Sequence, residues 1–191
     1  GSKLPEAYKS EGYDIRVASC GRDRRKAWAL AYDVYRSKGY AGVNPTGLWY
    51  SLHDLLPGTT TFLAEKDCVP VGTLTVVPDS PLSLPVDTLY ADEVDALRSA
   101  GRRLTEVVSL TCTAPSLREG ATLTRDLFRL AYLTAAKLDH VTDFLVTVNP
   151  RHVRFYQRVL LFETAGPKRA YDKVGGAPAV LLRLDLETAR L

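Results

Sequence analysis

The run from Leu104 to Val159 constrains the fold most. It reads "LTEVVSLTCT", then "TLTRDLFRLAYLTAAK", then "TDFLVTV", then a helix opening at Pro150. The first block is nearly all β-formers and reads as a buried strand, closed by Pro115. The second places Leu123, Leu127, Leu130, Ala131 and Thr134 on one helical face. Strand, helix, strand, helix in that order requires two strands paired in parallel through a crossover helix. A mixed α/β sheet is therefore expected for this half of the chain.

The flanks add antiparallel pairs. "TTTFLAEK" and "VGTLTVVPDS", joined by "DCVP", read as one hairpin, and "RAYDKV" and "AVLLRLDL", joined by "GGAP", as another. "YDIRVAS" (Tyr13–Ser19) alternates as a strand. Arg24–Ser37 has helical spacing with Trp28, Ala31, Tyr32 and Tyr35 on one face, and Gly39 stops it. Gly39–Leu56 is irregular and aromatic, with a short helix expected around Leu48–Leu55. The proline-rich stretch around Pro81 and Pro85 resembles an insertion and carries a short acidic helix near Tyr90–Ser99. The expectation is a mixed central sheet of about six to seven strands flanked by helices, in one domain spanning 1–191. Residues 1–12 are expected to be a flexible leader, and the opening Gly-Ser to be a cloning remnant.

Several function classes are disfavoured. A net charge of +3 is too small to argue for nucleic acid. No apolar run reaches the roughly 18 residues of a membrane span, and no signal peptide is seen, so a cytoplasmic location is expected. The three cysteines (Cys20, Cys68, Cys112) show no CxxC spacing and read as free thiols. The three histidines (His53, His140, His152) are too scattered for a metal site.

The most informative short stretch is Val146–Glu163, "VTVNPRHVRFYQRVLLFE". A strand ends on Asn149, Pro150 takes the first helical position, and an adjacent Phe155-Tyr156 pair follows. Together with the element order, Asn149, Tyr156 and Leu161-Phe162 resemble the second half of the GNAT (acyl-CoA N-acyltransferase-like) fold. The chain resembles more closely the N-acyl amino acid synthases of the FeeM type, relatives of the acyl-homoserine lactone synthases. The likeness covers roughly Tyr32 to Leu186. It rests on "YRSKGY", "TTTFLAEK…VGTLTVVPDSPLSLP", "YADEVDALRSAGRRLTEVVSL", "LFRLAYLTA", "TVNPRHVRFYQRVLLFE" and "GAPAVLLRLDL" taken together.

The resemblance implies a bacterial enzyme that moves a long acyl chain from acyl carrier protein to the amine of an amino acid, tyrosine in the best-known case. No permanently bound cofactor and no metal are implied; the donor is an acyl-phosphopantetheine on its carrier. Acetyl-CoA enzymes of this fold hold the CoA pyrophosphate with a Q/R-x-x-G-x-G/A pattern at a helix start. Here "SLREGATLTRD" keeps Arg118 and Gly120 but has the wrong spacing and lacks the second glycine. A carrier-borne arm has a single phosphate and needs less. Arg118, Arg125 and Arg129 would then form a basic rim for an acidic carrier protein, or simply the solvated face of a helix.

The resemblance also implies roles at the reacting centre. Glu106 matches the proposed base of the lactone synthases. It sits in an apolar strand, where a carboxylate is costly unless functional or ion-paired, with Arg102 or Arg103 the available partners. Strict alternation puts Glu106, Val108 and Leu110 on one side of that strand and Val107, Ser109 and Thr111 on the other. Tyr156 matches the tyrosine that protonates the leaving sulfur, and core packing is its alternative role. His152 is a second acid/base candidate; acylation of Cys112 is disfavoured, because the family transfers directly. The backbone of Leu110, Thr111 and Cys112 would bind the pantetheine arm, with Asn149 facing it. Gly39–Leu56 and the leucines of the insertion (Leu82, Leu84, Leu89) are candidate walls for the acyl chain. Arg36 and Arg103 are candidates for the acceptor carboxylate. Competing readings are a lactone synthase using S-adenosylmethionine, an acetyl-CoA N-acetyltransferase, and a non-catalytic binding module.

Overall fold

A computed structural model describes residues 8–10, 12–138 and 140–189. Among these residues nine strands form one mixed sheet. Its first four strands are β1 (Tyr8–Ser10), β2 (Tyr13–Val17), β3 (Thr60–Lys66) and β4 (Val69–Pro78). They continue through β5 (Leu104–Cys112), β6 (Asp143–Val148), β7 (Glu163–Thr164), β8 (Arg169–Tyr171) and β9 (Ala177–Asp185). The spatial order is β1-β2-β3-β4-β5-β6-β9-β7, with β8 also on β9. β5 and β6 pair in parallel, and the other pairings are antiparallel. The helices are α1 (Gly21–Ser37), α2 (Asp87–Ser99), α3 (Leu117–Leu138) and α4 (Pro150–Val159), with 3-10 turns at Leu52–Leu55 and Asp172–Val174.

The strand count exceeds the expected six to seven because β1 and β7 are very short. β1 also lies inside the segment read as a flexible leader. Its Tyr8, Lys9 and Ser10 pair with Ile15, Asp14 and Tyr13, so the sheet edge recruits it through backbone bonds that leave no mark on composition. Residues 1–7 and 11 lie outside the described residues.

The sheet separates two cores. On one face α3 and α4 cover Phe62, Leu74, Val107, Phe144, Val146 and Leu182. All five predicted apolar positions of α3 are buried there. On the other face α2 and the insertion cover Val77, Leu104, Leu145 and Leu181, while Ala27 of α1 packs with Leu63. Of the predicted face of α1, Ala31 and Tyr32 are buried, and the other two aromatics pack on the segment that follows the helix. Trp28 stacks on Tyr50 and Tyr35 meets Trp49 edge-on, both at 4.9 Å between centroids. The 39–50 segment is thus held as a cover over α1 rather than as free loop.

The alternation expected along β5 breaks. Thr75 faces Val108 and Thr73 faces Thr111, so Ser109 and Leu110 both stand opposite Leu74. Ser109 takes φ 55°, the left-handed region. This bulge shifts every later residue to the other face. Leu110 and Cys112 therefore pack with Val107 on the α3/α4 side, not with Glu106, while Leu104 and Val108 belong to the opposite core.

Candidate active site

The site is built where β5 and β6 separate. Their parallel pairing runs from Leu104 opposite Asp143 to Val107 opposite Val146 and stops there. Beyond it β5 stays with β4 while Thr147 and Val148 stay with β9. Among the described residues, the edge of β5 after Val107 consequently has no partner strand. A cavity of about 750 Å3 occupies the split, lined by both strand ends. Because the sheet is open here, the cavity reaches both faces. On the α3/α4 side it meets Cys112, Gly120, Thr124, Asn149, His152 and Tyr156; on the other it meets Tyr35, Trp49, Glu106, Tyr171 and Lys173.

Glu106 is 2% exposed. Its Oε2 accepts a 2.7 Å hydrogen bond from the Val86 N–H, at the start of α2. Burial pushes its pKa up to about 8, against the opposing pull of that N–H and of the Lys173 charge. The ion-pair alternative with Arg102 or Arg103 does not form. Arg102 instead binds Asp143 (2.6 Å) and Glu187 (2.6 Å), and Arg103 donates to the His140 carbonyl. Both leave from the far end of β5, where the strand starts and solvent is close. Arg98 fixes the Val86 N–H in place. It grips Asp79 after β4 and Asp87 in the first turn of α2, each at 2.7 Å, while Asp87 Oδ2 accepts from the Leu84 N–H.

Tyr156 is packed edge-on against Phe128, Phe162 and Phe155 and still lines the cavity. Burial holds its hydroxyl protonated far above the usual range. Packing and exposure to the cavity therefore coexist. Asn149 caps α4, its Oδ1 accepting from the Arg151 N–H at 3.2 Å, and it also lines the cavity. Burial raises the Cys112 thiol pKa, which disfavours a thiolate nucleophile. The His152 imidazole is pushed down by burial and by the charges of Arg151 and Lys38.

The structure brings Glu106, Tyr156, Leu110, Thr111, Cys112, Gly120 and Asn149 to one cavity. Arg118, Arg125 and Arg129 are exposed and lie outside the lining. Arg36 and Arg103 are also exposed and outside it, so the cavity wall takes its cations elsewhere. The Arg36 side chain turns to the Ala41 carbonyl at 3.5 Å, within its own segment. Of the proposed chain-lining segments, Tyr40 and Trp49 reach the cavity; Leu84 is buried under α2, and Leu82 is exposed. Sequence reasoning missed Lys38, Tyr35, Tyr171 and Lys173. The only available signal was the crowding of aromatics near them. Among the described residues no cluster of potential ligands could hold a metal, and no helix is long and apolar enough to cross a membrane.

A family model described as N-acyl amino acid synthase FeeM matches residues 26–185. The structure of FeeM, an N-acyl amino acid synthase from uncultured soil microbes, superposes with a TM-score of 0.79 at 27% identity. That match covers 92% of this chain and 91% of the other. The AHL synthase LasI gives a TM-score of 0.64 at 11% identity, covering 91% and 90%. An N-acetyltransferase from Staphylococcus aureus Mu50 gives 0.63 at 12%, covering 92% and 99%. The last two likenesses speak to the fold alone, which is that of the GNAT acyltransferases. No curated protein sequence matches the chain. With the match spanning β3 to β9 and the cavity between β5 and β6, the chain belongs to the N-acyl amino acid synthase family of FeeM and is an N-acyltransferase.

Proposed function

We propose that this enzyme transfers a long acyl chain from acyl carrier protein to the α-amine of an amino acid, with tyrosine as one candidate acceptor. One observation carries the reading: Glu106 and Tyr156 open into the same cavity from opposite faces of the sheet, at the split between β5 and β6. The pantetheine arm extends along the unpaired edge of Leu110–Cys112, with Asn149 across from it. Its thioester then lies at the bulge, where ladder groups of β5 are free to stabilise an oxyanion.

Glu106 takes the amine proton as the nitrogen attacks the thioester carbonyl. A carboxylate poised near 8 is matched to an amine that titrates in a similar range. Collapse of the tetrahedral intermediate breaks the C–S bond, and the Tyr156 hydroxyl gives its proton to the departing thiolate. The base returns its proton to Tyr156 through solvent, which restores both groups. The degenerate pyrophosphate pattern around Arg118 and Gly120 and the exposed arginines of α3 favour a carrier protein over CoA as donor.

The test is turnover of the purified enzyme with one acyl chain supplied on acyl carrier protein or on CoA, with products read by mass spectrometry. Long-chain N-acyl amino acids, formed with higher kcat/KM from the carrier, are expected. Acyl-homoserine lactones, or efficient transfer from acetyl-CoA alone, would overturn the proposal.

A further inference from the structure

A second hollow of about 560 Å3 lies between the 3-10 turn Leu52–Leu55, the start of α2 and residues 170–173. Tyr171 and Lys173 line both hollows and stand between them. The walls of the second hollow include Leu52, Pro85 and Leu89 beside Thr88 and His53. It can therefore receive a side chain with both apolar and polar parts.

The charges around this junction are few, and Asp172 beside Lys173 is the acidic side chain in the lining of the second hollow. Glu106 is the one acidic side chain in the lining of the larger cavity, and Lys38 and Lys173 are its two ammonium groups. Lys38 belongs to the donor side, where its charge acts on His152 and where it feels Arg151 and Cys112. Lys173 belongs to the Glu106 side. It is exposed, makes no ion pair among the described residues, and its charge reaches the Glu106 carboxylate. An α-amino acid carries its ammonium and its carboxylate on one carbon. When the amine lies at Glu106, the carboxylate lies close by as well, and a neighbouring cation can bind it.

We infer that Lys173 binds the α-carboxylate of the acceptor, and that the acceptor enters through the second hollow with its side chain resting between Leu52, Pro85 and Leu89. Donor and acceptor then reach Glu106 from opposite sides. The inference rests on the N-acyl amino acid synthase reading and adds the acceptor subsite to it.

The experiment compares each amino acid that the wild-type enzyme acylates with its primary amide, which lacks the negative charge. Wild type should prefer the acid in kcat/KM by about 10- to 100-fold, the range of one charge-assisted hydrogen bond. K173Q should bring that ratio to about 1 by raising the acceptor KM, with the donor KM unchanged, and K173R should restore most of it. T88W, an exposed substitution in the wall of the second hollow, should raise the acceptor KM and leave the donor KM and chain-length preference unaltered. A ratio in K173Q equal to that of wild type overturns the anchor while leaving acyl transfer standing. A T88W effect confined to the donor assigns the hollow to the acyl chain and overturns the entry route. No product from wild type with any acid or amide overturns both readings.

Discussion

At the scale of single residues, Glu106 shows function set against stability. Its pKa is ordinarily near 4.5 and is raised to about 8 by burial. Between those values the unfolded chain has lost the proton that the folded chain retains, so stability falls as pH rises through this window. Below about 4.5 both states are protonated and the cost disappears. E106Q keeps an acceptor for the Val86 N–H and removes the titration. It should melt a few degrees higher than wild type at pH 8, with the gap closing toward pH 4.5. The same substitution should lower kcat by about 100- to 10,000-fold if Glu106 is the base. For wild type, log kcat/KM should rise with pH and level off near 8. A pH-independent profile from 6 to 9, or near-normal turnover by E106Q, would remove Glu106 from the chemistry.

At the scale of elements, the bulge in β5 decides what the strand presents. Ser109 holds φ 55° without being glycine, which costs a residue with a Cβ about 1–2 kcal/mol. S109G should therefore keep stability within roughly 0.5 kcal/mol and keep activity, since glycine gains in φ what it loses in chain entropy. S109V should lose about 1–2 kcal/mol in urea denaturation, because a β-branched residue is least at ease there. It should also lose kcat/KM, because the face of Leu110 and Cys112 is fixed by the extra residue. Full activity in S109V would show that the bulge geometry is not needed for transfer. The strands on either side of this position were readable from their composition. The bulge was not, because "VVSLT" is a run of β-formers that reads as a flat buried strand and Ser109 carries no glycine signal.

At the scale of the whole molecule, the donor has to meet a large surface. Arg125 and Arg129 are exposed on α3, four residues apart, and make no ion pair among the described residues. The R125E/R129E double variant should raise the KM for an acyl carrier protein donor about tenfold at low salt, converging with wild type as salt screens the encounter. Its KM for an acyl-CoA donor should not move. An unchanged carrier KM would place docking elsewhere. Folding of the variant is not in question, since both side chains lie on the solvent side of a helix whose buried positions include Leu123, Leu127, Phe128, Leu130 and Ala131.

The sequence alone determined the crossover unit, both hairpins, the apolar face of α3 and the Asn149-Pro150 cap, because each depends on local periodicity or on backbone preference within a few residues. It also singled out Glu106 and Tyr156, one as a costly carboxylate in an apolar strand and both through family likeness. Tertiary structure decided the rest. The partner of Glu106 is the Val86 N–H, twenty residues away in sequence, where side-chain charges had suggested Arg102 or Arg103. The cations of the cavity are Lys38 and Lys173 from opposite ends of the chain, while Arg36 and Arg103 point elsewhere. Such pairings depend on long-range strand register and on where β5 and β6 part, and no local pattern encodes either one.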